Sequence, residues 1–546
     1  MRLNDLEKRM LAGELGAPRR WAIQQQVAVG EFFDAEDFVE VSQVHICADT
    51  EALGPPGVAF LEELAEAPPE ERRVSVPTVT DPRGADFKHF AKIRQPEAIV
   101  ALERRAADAL ATLGMILTDT CINYQSVLPP VRGEHLAFGD TGSVIYANSV
   151  CGARSNYEGG PAALAAALSG RVPRYGFHLD ACRQGGRRWR IAEAPRSLSD
   201  WGPLGALIGR EQEPYWQVPV VEIAGDHAPG SDELKHFGAA MASWGSTAMY
   251  HVCGVTPEAP PADPKAPAES LGHREIDAFY DSFAPSRDAL DVVVFAAPQL
   301  SLLEMQQLAR LLDGKRVHEA TALLVATSPE IRHAAARTGL VGAIEQAGGV
   351  VLEGVCFYQM HARVLAEANG WRTLMTNSAK LVNIIAGYGY EPALAPMARC
   401  VEAAVTGGSC DERDPGPQGD RPVSAGHSAG RRRQLFRALR PRPRARRVLT
   451  AGAQAVRPAL CRQGAGAECR QGRGRDLLDA GGDGRAWVGA ARPAAELRQP
   501  DYGAGRGVFR DPPDRPLRAR HHGGHQDRHR GRSRPRRGRC AGIAFV

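Results

Sequence analysis

No run of about 18 uninterrupted apolar residues, the length a membrane-spanning helix needs, is found in these 546 residues. The opening residues, MRLNDLEKRMLAGELG, alternate charge with leucine and lack the apolar core of a signal peptide. A cytoplasmic location and no membrane partner are the expectation. Cysteines number eleven, an odd count, and none stands in a CxxC pair. That excludes the disulfide framework of a small secreted domain. It leaves isolated thiols, which serve as buried apolar residues or as metal ligands drawn from separate loops. No interval repeats along the chain, which argues against solenoid and propeller architectures.

The most informative absence is local. Beyond residue 408 there is no Lys, Asn or Met, and the last lysine is Lys380. Residues 411–546 hold 31 Arg and 13 acidic residues, while the first 410 hold 36 basic and 50 acidic ones. The net charge of +4 therefore averages two unlike parts. Leu, Ile, Val and Phe make up 18 of the last 136 residues, below the roughly 20% at which chains stop burying a core. Runs such as Arg442-Pro443-Arg444 and His521-His522-Gly523-Gly524-His525 dominate instead. An Arg-rich arm for nucleic acid would suit the charge. Stacking aromatics are few, however, and such an arm has no reason to exclude Lys, so nucleic acid is not the expected partner. Codon composition explains more. Arg, Gly, Ala and Pro have GC-rich codons, and Lys, Asn, Met and Ile AT-rich ones. A GC-rich gene read in a shifted frame from residues 405–411 onward would yield this tail. Chemistry is to be sought in residues 1–407, with 408–546 a low-complexity tail.

In that body, Leu3, Leu6, Met10 and Leu11 recur at helical spacing. Residues 23–46 suggest a helix, a Gly-marked turn, a second short helix and a strand ending near His45. Helices are predicted at 95–113, 161–169, 231–243, 301–312 and 329–338. Strands are predicted at 115–118 (MILT), 291–297 (DVVVFAA), 321–326 (TALLVAT) and 349–352. Pro-rich 54–57 and 256–268 read as surface loops. Short aliphatic strands alternating with helices predict an α/β fold with mostly parallel sheets.

Parallel sheets place chemistry in the loops at the carboxyl ends of their strands. Five loops here are dense in polar, Gly and Cys residues: 118–125, 146–161, 251–258, 353–356 and 376–380. Arg154 and Lys380 are candidates to hold a carboxylate, with Ser and Asn side chains to orient it. Thiols in separate loops beside cations suit an iron–sulfur cluster facing an anionic substrate. Structural alternatives stand beside each role. A lone Cys after a strand is a common core residue, Arg154 could brace a loop, and Ser149 or Ser378 could cap a helix.

These loops resemble the aconitase X family, the divergent branch of the aconitase superfamily. The resemblance rests on TDTCINYQ (118–125), GEHLAFGDTGSVIYANSVCGARSNYEGGPAAL (133–164), SDELKHFGA (231–239), HVCGVTPEAP (251–260), APQLSLLE (297–304), GVCFYQM, and TNSAKL (376–381). It covers residues 1–407 and implies an aconitase-like, multi-lobed large α/β part followed by a small swivelling domain. The tail stands where that small domain should begin. The fused bacterial type is similar to enzymes dehydrating cis-3-hydroxy-L-proline to Δ1-pyrroline-2-carboxylate, and archaeal relatives act on phosphomevalonate. APQLS replaces the Gly-Cys-Pro-His-type loop expected in archaeal members, so Ala297 stands where they would offer a cluster Cys. That departure favours the bacterial type.

The resemblance implies Cys121 and Cys356 as ligands of an iron–sulfur cluster, of the 2Fe–2S type with three Cys. Cys151 is the expected third ligand and Cys253 its competitor, while Cys47, Cys182, Cys400 and Cys410 are left as structural. Three thiolates would leave one iron open to the departing hydroxyl of a small hydroxy-amino-acid substrate, and cations would stabilise the carbanion character at C2. Lys380, Ser378 and Asn377 are expected in catalysis, and Arg154, Ser149, Asn156 and Asn148 in substrate binding. The superfamily's catalytic serine comes from the small domain. From residue 411 onward the chain has only Ser424, Ser428 and Ser533, none in a matching context, so no catalytic serine is assigned.

Overall fold

A computed structural model describes residues 1–408, apart from 213–214, 226 and 286–288. The Arg-rich tail, Cys410 and the expected frame shift lie outside the described residues. Among those described, strands form four sheets, three of them wholly parallel.

The largest sheet orders Val350–Glu353, Ala322–Thr327, Val292–Leu300, Thr373–Thr376 and Glu391–Leu394. Its central strand is buried along its whole length, which is why it runs apolar from Val292 through Pro298, with Gln299 its one polar residue, rather than alternating. Val293 and Phe295 face one cluster with Met305, Leu308 and Val401. Val292 and Val294 face another with Phe357, Leu365 and Ile385. A three-stranded sheet orders Thr78–Thr80, Gln43–Ile46 and Leu136–Phe138. A four-stranded sheet orders His251–Val252, Val218–Ile223, Gly185–Ile191 and Glu269–Leu271. Phe38–Glu40 and Arg171–Pro173 form the single antiparallel pair among the described residues.

The helices Trp201–Arg210 and Ser231–Gly245 pack backbone against backbone. A Cβ on Gly205 would stand 2.1 Å from the Phe237 carbonyl oxygen, and one on Gly245 would stand 2.0 Å from that of Gly209. Only glycine permits this approach.

Three local expectations are corrected. The stretch 23–46 contains one helix, Ala17–Phe32, running through Gly30. Gly30 is there because Met1 and Pro173 lie against it, not because the chain turns. The second short helix is instead the strand Phe38–Glu40. MILT is no strand, since only Ile116 bridges to Val79 and Ile116 and Leu117 are exposed. In the first helix, Asp5–Ala12, Leu6 is exposed while Glu7 is buried, because its carboxylate caps Asn4 N and receives Arg171 Nε at 3.3 Å.

Candidate active site

Two parallel sheets direct the carboxyl ends of their strands to one place. Gln43–Ile46 leads to Cys47 and Asp49, Thr78–Thr80 to Asp81, and Leu136–Phe138 to Asp140. From the larger sheet, Val292–Leu300 carries Ala297 and Gln299 near its end. Val350–Glu353 leads to Cys356 and Gln359, and Thr373–Thr376 to Asn377, Ser378 and Lys380.

Cys121 and Cys356 are both buried and lie close enough for their thiols to interact. The interaction with Cys356, and then burial, push the Cys121 thiol well above its ordinary range. Gln299 N lies 3.4 Å from Cys121 Sγ, and the Gln299 amide donates to Asp119 O and Val355 O, both at 3.1 Å. The Gln299 loop is anchored from behind. Buried Lys235 donates to Gln299 O at 3.3 Å and pairs with Glu304, which also receives His236 Nε2 at 2.6 Å.

Lys380 enters on the first turn of the helix Ala379–Ile385. It is buried, and its Nζ donates to Asp140 Oδ1 at 3.0 Å. Burial disfavours its charge, but Asp140 and the two cysteines outweigh burial and hold it above the usual lysine range. Asp140 is correspondingly held low, chiefly by Lys380 against the burial penalty, and its Oδ2 accepts from Ser143 N at 2.9 Å. A carboxylate and an ammonium thus stay ionised together beside the thiols. Asp140 is the only hydrogen-bond partner of Nζ among the described residues, leaving two N–H groups for a ligand. Asn377 is buried and its side chain makes no hydrogen bond among the described residues. Ser378 is spoken for, since it accepts from Leu381 N at 3.1 Å as the helix cap and donates to Ala297 O.

The structure does not bring the other expected residues to this point. Cys151 ends the π-helical turn Ala147–Cys151, with Glu134, Tyr146 and Tyr250 as its charged or titratable neighbours. Cys121 bears on Tyr124, and the Tyr124 and Tyr146 rings stack at 4.1 Å. Cys253 lies by Glu222 and Arg188. Among the described residues, no group of three His, Cys, Asp or Glu is arranged to hold a metal ion. Cys121 and Cys356 interact directly, Cys151 packs against the hydrophobic cluster that contains Cys121, and Ala297 offers no thiol.

The four expected substrate binders are engaged in bracing loops. Arg154 donates to His178 O at 3.0 Å and pairs with Asp180. Asn148 joins Ser155 N, Ser155 O and Ala248 O, and also receives Arg183. Ser149 accepts from Tyr250 N at 2.9 Å. Asn156 ties Tyr175 O to Phe177 N.

Sequence reasoning passed over the acids and their partners. Asp81 Oδ2 accepts from Gln359 Nε2 at 2.8 Å and from the Cys47 thiol at 3.3 Å. His45 Nε2 donates to Thr120 O at 2.8 Å. Burial lowers the His45 pKa, so the ring is neutral and Nδ1 carries a lone pair. Asp49 caps the helix that starts at Thr50, and burial raises it to about 7. The one available signal was position, since each acid follows a short strand of a parallel sheet.

Comparison with known proteins accords with this geometry. The domains described as Aconitase X first, second and third domain match residues 1–181, 186–281 and 290–406. The phosphomevalonate dehydratase large subunit of Methanothermobacter thermautotrophicus is 34% identical over 388 residues, covering 70% of this chain and 94% of that protein. The cis-3-hydroxy-L-proline dehydratase of Pseudomonas aeruginosa is 31% identical over 420 residues, covering 75% of this chain and 70% of that protein. The crystal structure of Thermococcus kodakaraensis aconitase X in its holo-form superposes with a TM-score of 0.64 at 28% identity, covering 74% of this chain and all of that one. With all three domains matched and the paired thiols at the sheet ends, this chain belongs to the aconitase X family of hydro-lyases.

Proposed function

We propose that the body of this chain is built to dehydrate cis-3-hydroxy-L-proline to Δ1-pyrroline-2-carboxylate, with Cys121 and Cys356 holding an iron–sulfur centre. The observation that carries this reading is the convergence of two buried thiols with the Lys380–Asp140 ion pair at the carboxyl ends of two parallel sheets. Buried paired thiols suit soft metal ligation. Of the expected three cysteines they supply two. When bound, the iron centre supplies the Lewis acid that makes hydroxide a competent leaving group.

The chain's own residues do the rest. Lys380 binds the substrate carboxylate through the N–H groups that Asp140 leaves free, and its charge stabilises the carbanion character that develops at C2. Asn377 offers an unengaged amide beside it for orientation. Asp140 keeps the local charge near zero, so Lys380 attracts a monoanionic carboxylate without becoming a phosphate clamp. That balance, with Ala297 in the APQLS loop, favours the hydroxyproline reaction over a phosphomevalonate-type one.

The three domain matches end at residue 406, next to the change in composition. We propose that 408–546 is an out-of-frame remnant of the small swivelling domain, so that this polypeptide alone turns over little or nothing. Reading the coding DNA in its other two frames checks this directly, because one of them must encode a strand-patterned, serine-containing segment. The protein with that frame restored is then assayed with both substrates. Formation of Δ1-pyrroline-2-carboxylate from cis-3-hydroxy-L-proline supports the proposal. Turnover of phosphomevalonate alone overturns it.

A further inference from the structure

Hydrogen-bond acceptors without donors gather on one side of the site. Asp81 is 3% exposed, and its Oδ1 has no hydrogen-bond partner among the described residues. His45 Nε2 lies 3.4 Å away but directs its hydrogen to Thr120 O instead. Gln359 Oε1 and His45 Nδ1 are likewise buried and unpartnered. Asp81 Oδ1 and Gln359 Oε1 stand on the two side chains joined by the Gln359 Nε2–Asp81 Oδ2 bond, and such acceptors are costly to bury without a donor.

The charges show the same imbalance. The cations of this wall are already matched, Lys380 to Asp140 and Arg83 to Asp119. Among the described residues neither Asp49 nor Asp81 forms an ion pair with Arg or Lys, and burial is the main cause that raises both, Lys380 opposing it at Asp81. A narrow cavity of about 10 Å³ beside Asp81 is lined also by Asp49, Thr80, Arg83, Glu103 and Asp119, and has room for one water-sized group. These acids do not form a cage for a metal ion.

We propose that Asp81, with Gln359 and His45 around it, receives the protonated ring amine of the substrate, so that the site selects cyclic hydroxy amino acids over phosphorylated hydroxy acids. A secondary ammonium brings one positive charge and two N–H donors. Both suit the unpartnered Asp81 Oδ1, and a charge-assisted bond to it is the stronger kind. A phosphorylated hydroxy acid brings acceptors and negative charge only. The inference rests on the hydroxyproline reading above, and it assigns the amine to Asp81 while Lys380 takes the carboxylate.

Calorimetric binding to the full chain tests it with three ligands: L-proline, cis-3-hydroxy-L-proline and tetrahydrofuran-2-carboxylate, whose ring oxygen replaces the amine. The two amines should bind at least about tenfold tighter than the ring-oxygen compound, the size expected for a charge-assisted hydrogen bond. Asp81→Asn should remove that advantage and leave tetrahydrofuran-2-carboxylate unchanged. Should the variant not fold, the comparison on the unaltered chain decides alone. Equal affinity for amine and oxygen rings, or no binding of either amine by folded protein, overturns the proposal. Dehydration of hydroxyproline by frame-restored enzyme with equal binding of the two rings would sink only this inference. Amine-selective binding without dehydration would sink only the proposed reaction.

Discussion

Lys380 and Asp140 stand or fall together as residues. Both are buried and each is the other's principal counter-charge. Lys380→Met should therefore cost about 3–5 kcal/mol in urea denaturation, because it strands a carboxylate in the interior. The double variant with Asp140→Asn should recover part of that loss. Asp49 gives a pH signature. Its carboxyl is raised by burial to about 7 from an ordinary 3.8, so between those values the folded state holds the extra proton. Its contribution to stability is fully present below pH ~4 and is lost as pH rises through 7. Asp49→Asn keeps an acceptor for Ala52 N and should be more stable than the parent above pH 7, by about 4 kcal/mol at most, and equal to it near pH 4. Thermal melts across that range check the sign. At this scale the sequence was partly legible. Cys121, Cys356, Lys380 and Asn377 lie where their loops suggested. Asp81, Asp140 and His45 were missed because single polar residues after three-residue strands have no diagnostic spacing, and only the meeting of two sheets gives them a role.

Elements were read best where burial dictates the pattern. Val292–Leu300 is buried on both faces and runs apolar from Val292 through Pro298. Thr118 and its predecessors showed the same aliphatic character but make a single bridge, since β propensity reports a fit to a half-buried surface rather than strand pairing itself. The loop bearing Arg154, Ser149, Asn148 and Asn156 looked like a ligand site because bracing a backbone needs the same donors and acceptors as binding a carboxylate. Arg154→Ala should accordingly lower stability by about 1–3 kcal/mol through its lost bonds to His178 and Asp180, while amine and carboxylate affinities measured by calorimetry stay as in the parent. The helix pair Trp201–Arg210 and Ser231–Gly245 offers a sharper case. Gly205→Ala would press a methyl to 2.1 Å from the Phe237 carbonyl oxygen. It should destabilise the protein by about 1–3 kcal/mol or more, as overpacking does, with a matching fall in the thermal midpoint.

On the scale of the whole molecule, three matched domains and four sheets account for residues 1–408. The composition break near residue 408 was visible from residue types alone, because Lys, Asn and Met are absent beyond it while Arg, Gly and Pro accumulate. A chain ending at residue 408 should keep the iron content and melting midpoint of the full chain, and should lose salt-sensitive retention on heparin, which 31 arginines would confer. Among the described residues no helix is long and apolar enough to cross a membrane. What remains central is the thiol pair, where two sheets meet. Iron analysis and visible spectra of anaerobically purified protein test it most directly, with Cys121→Ala, Cys356→Ala and Cys151→Ala side by side. The first two should be colourless and iron-free, and Cys151→Ala should match the parent. Iron retained in full after loss of Cys121 and of Cys356 would contradict the account.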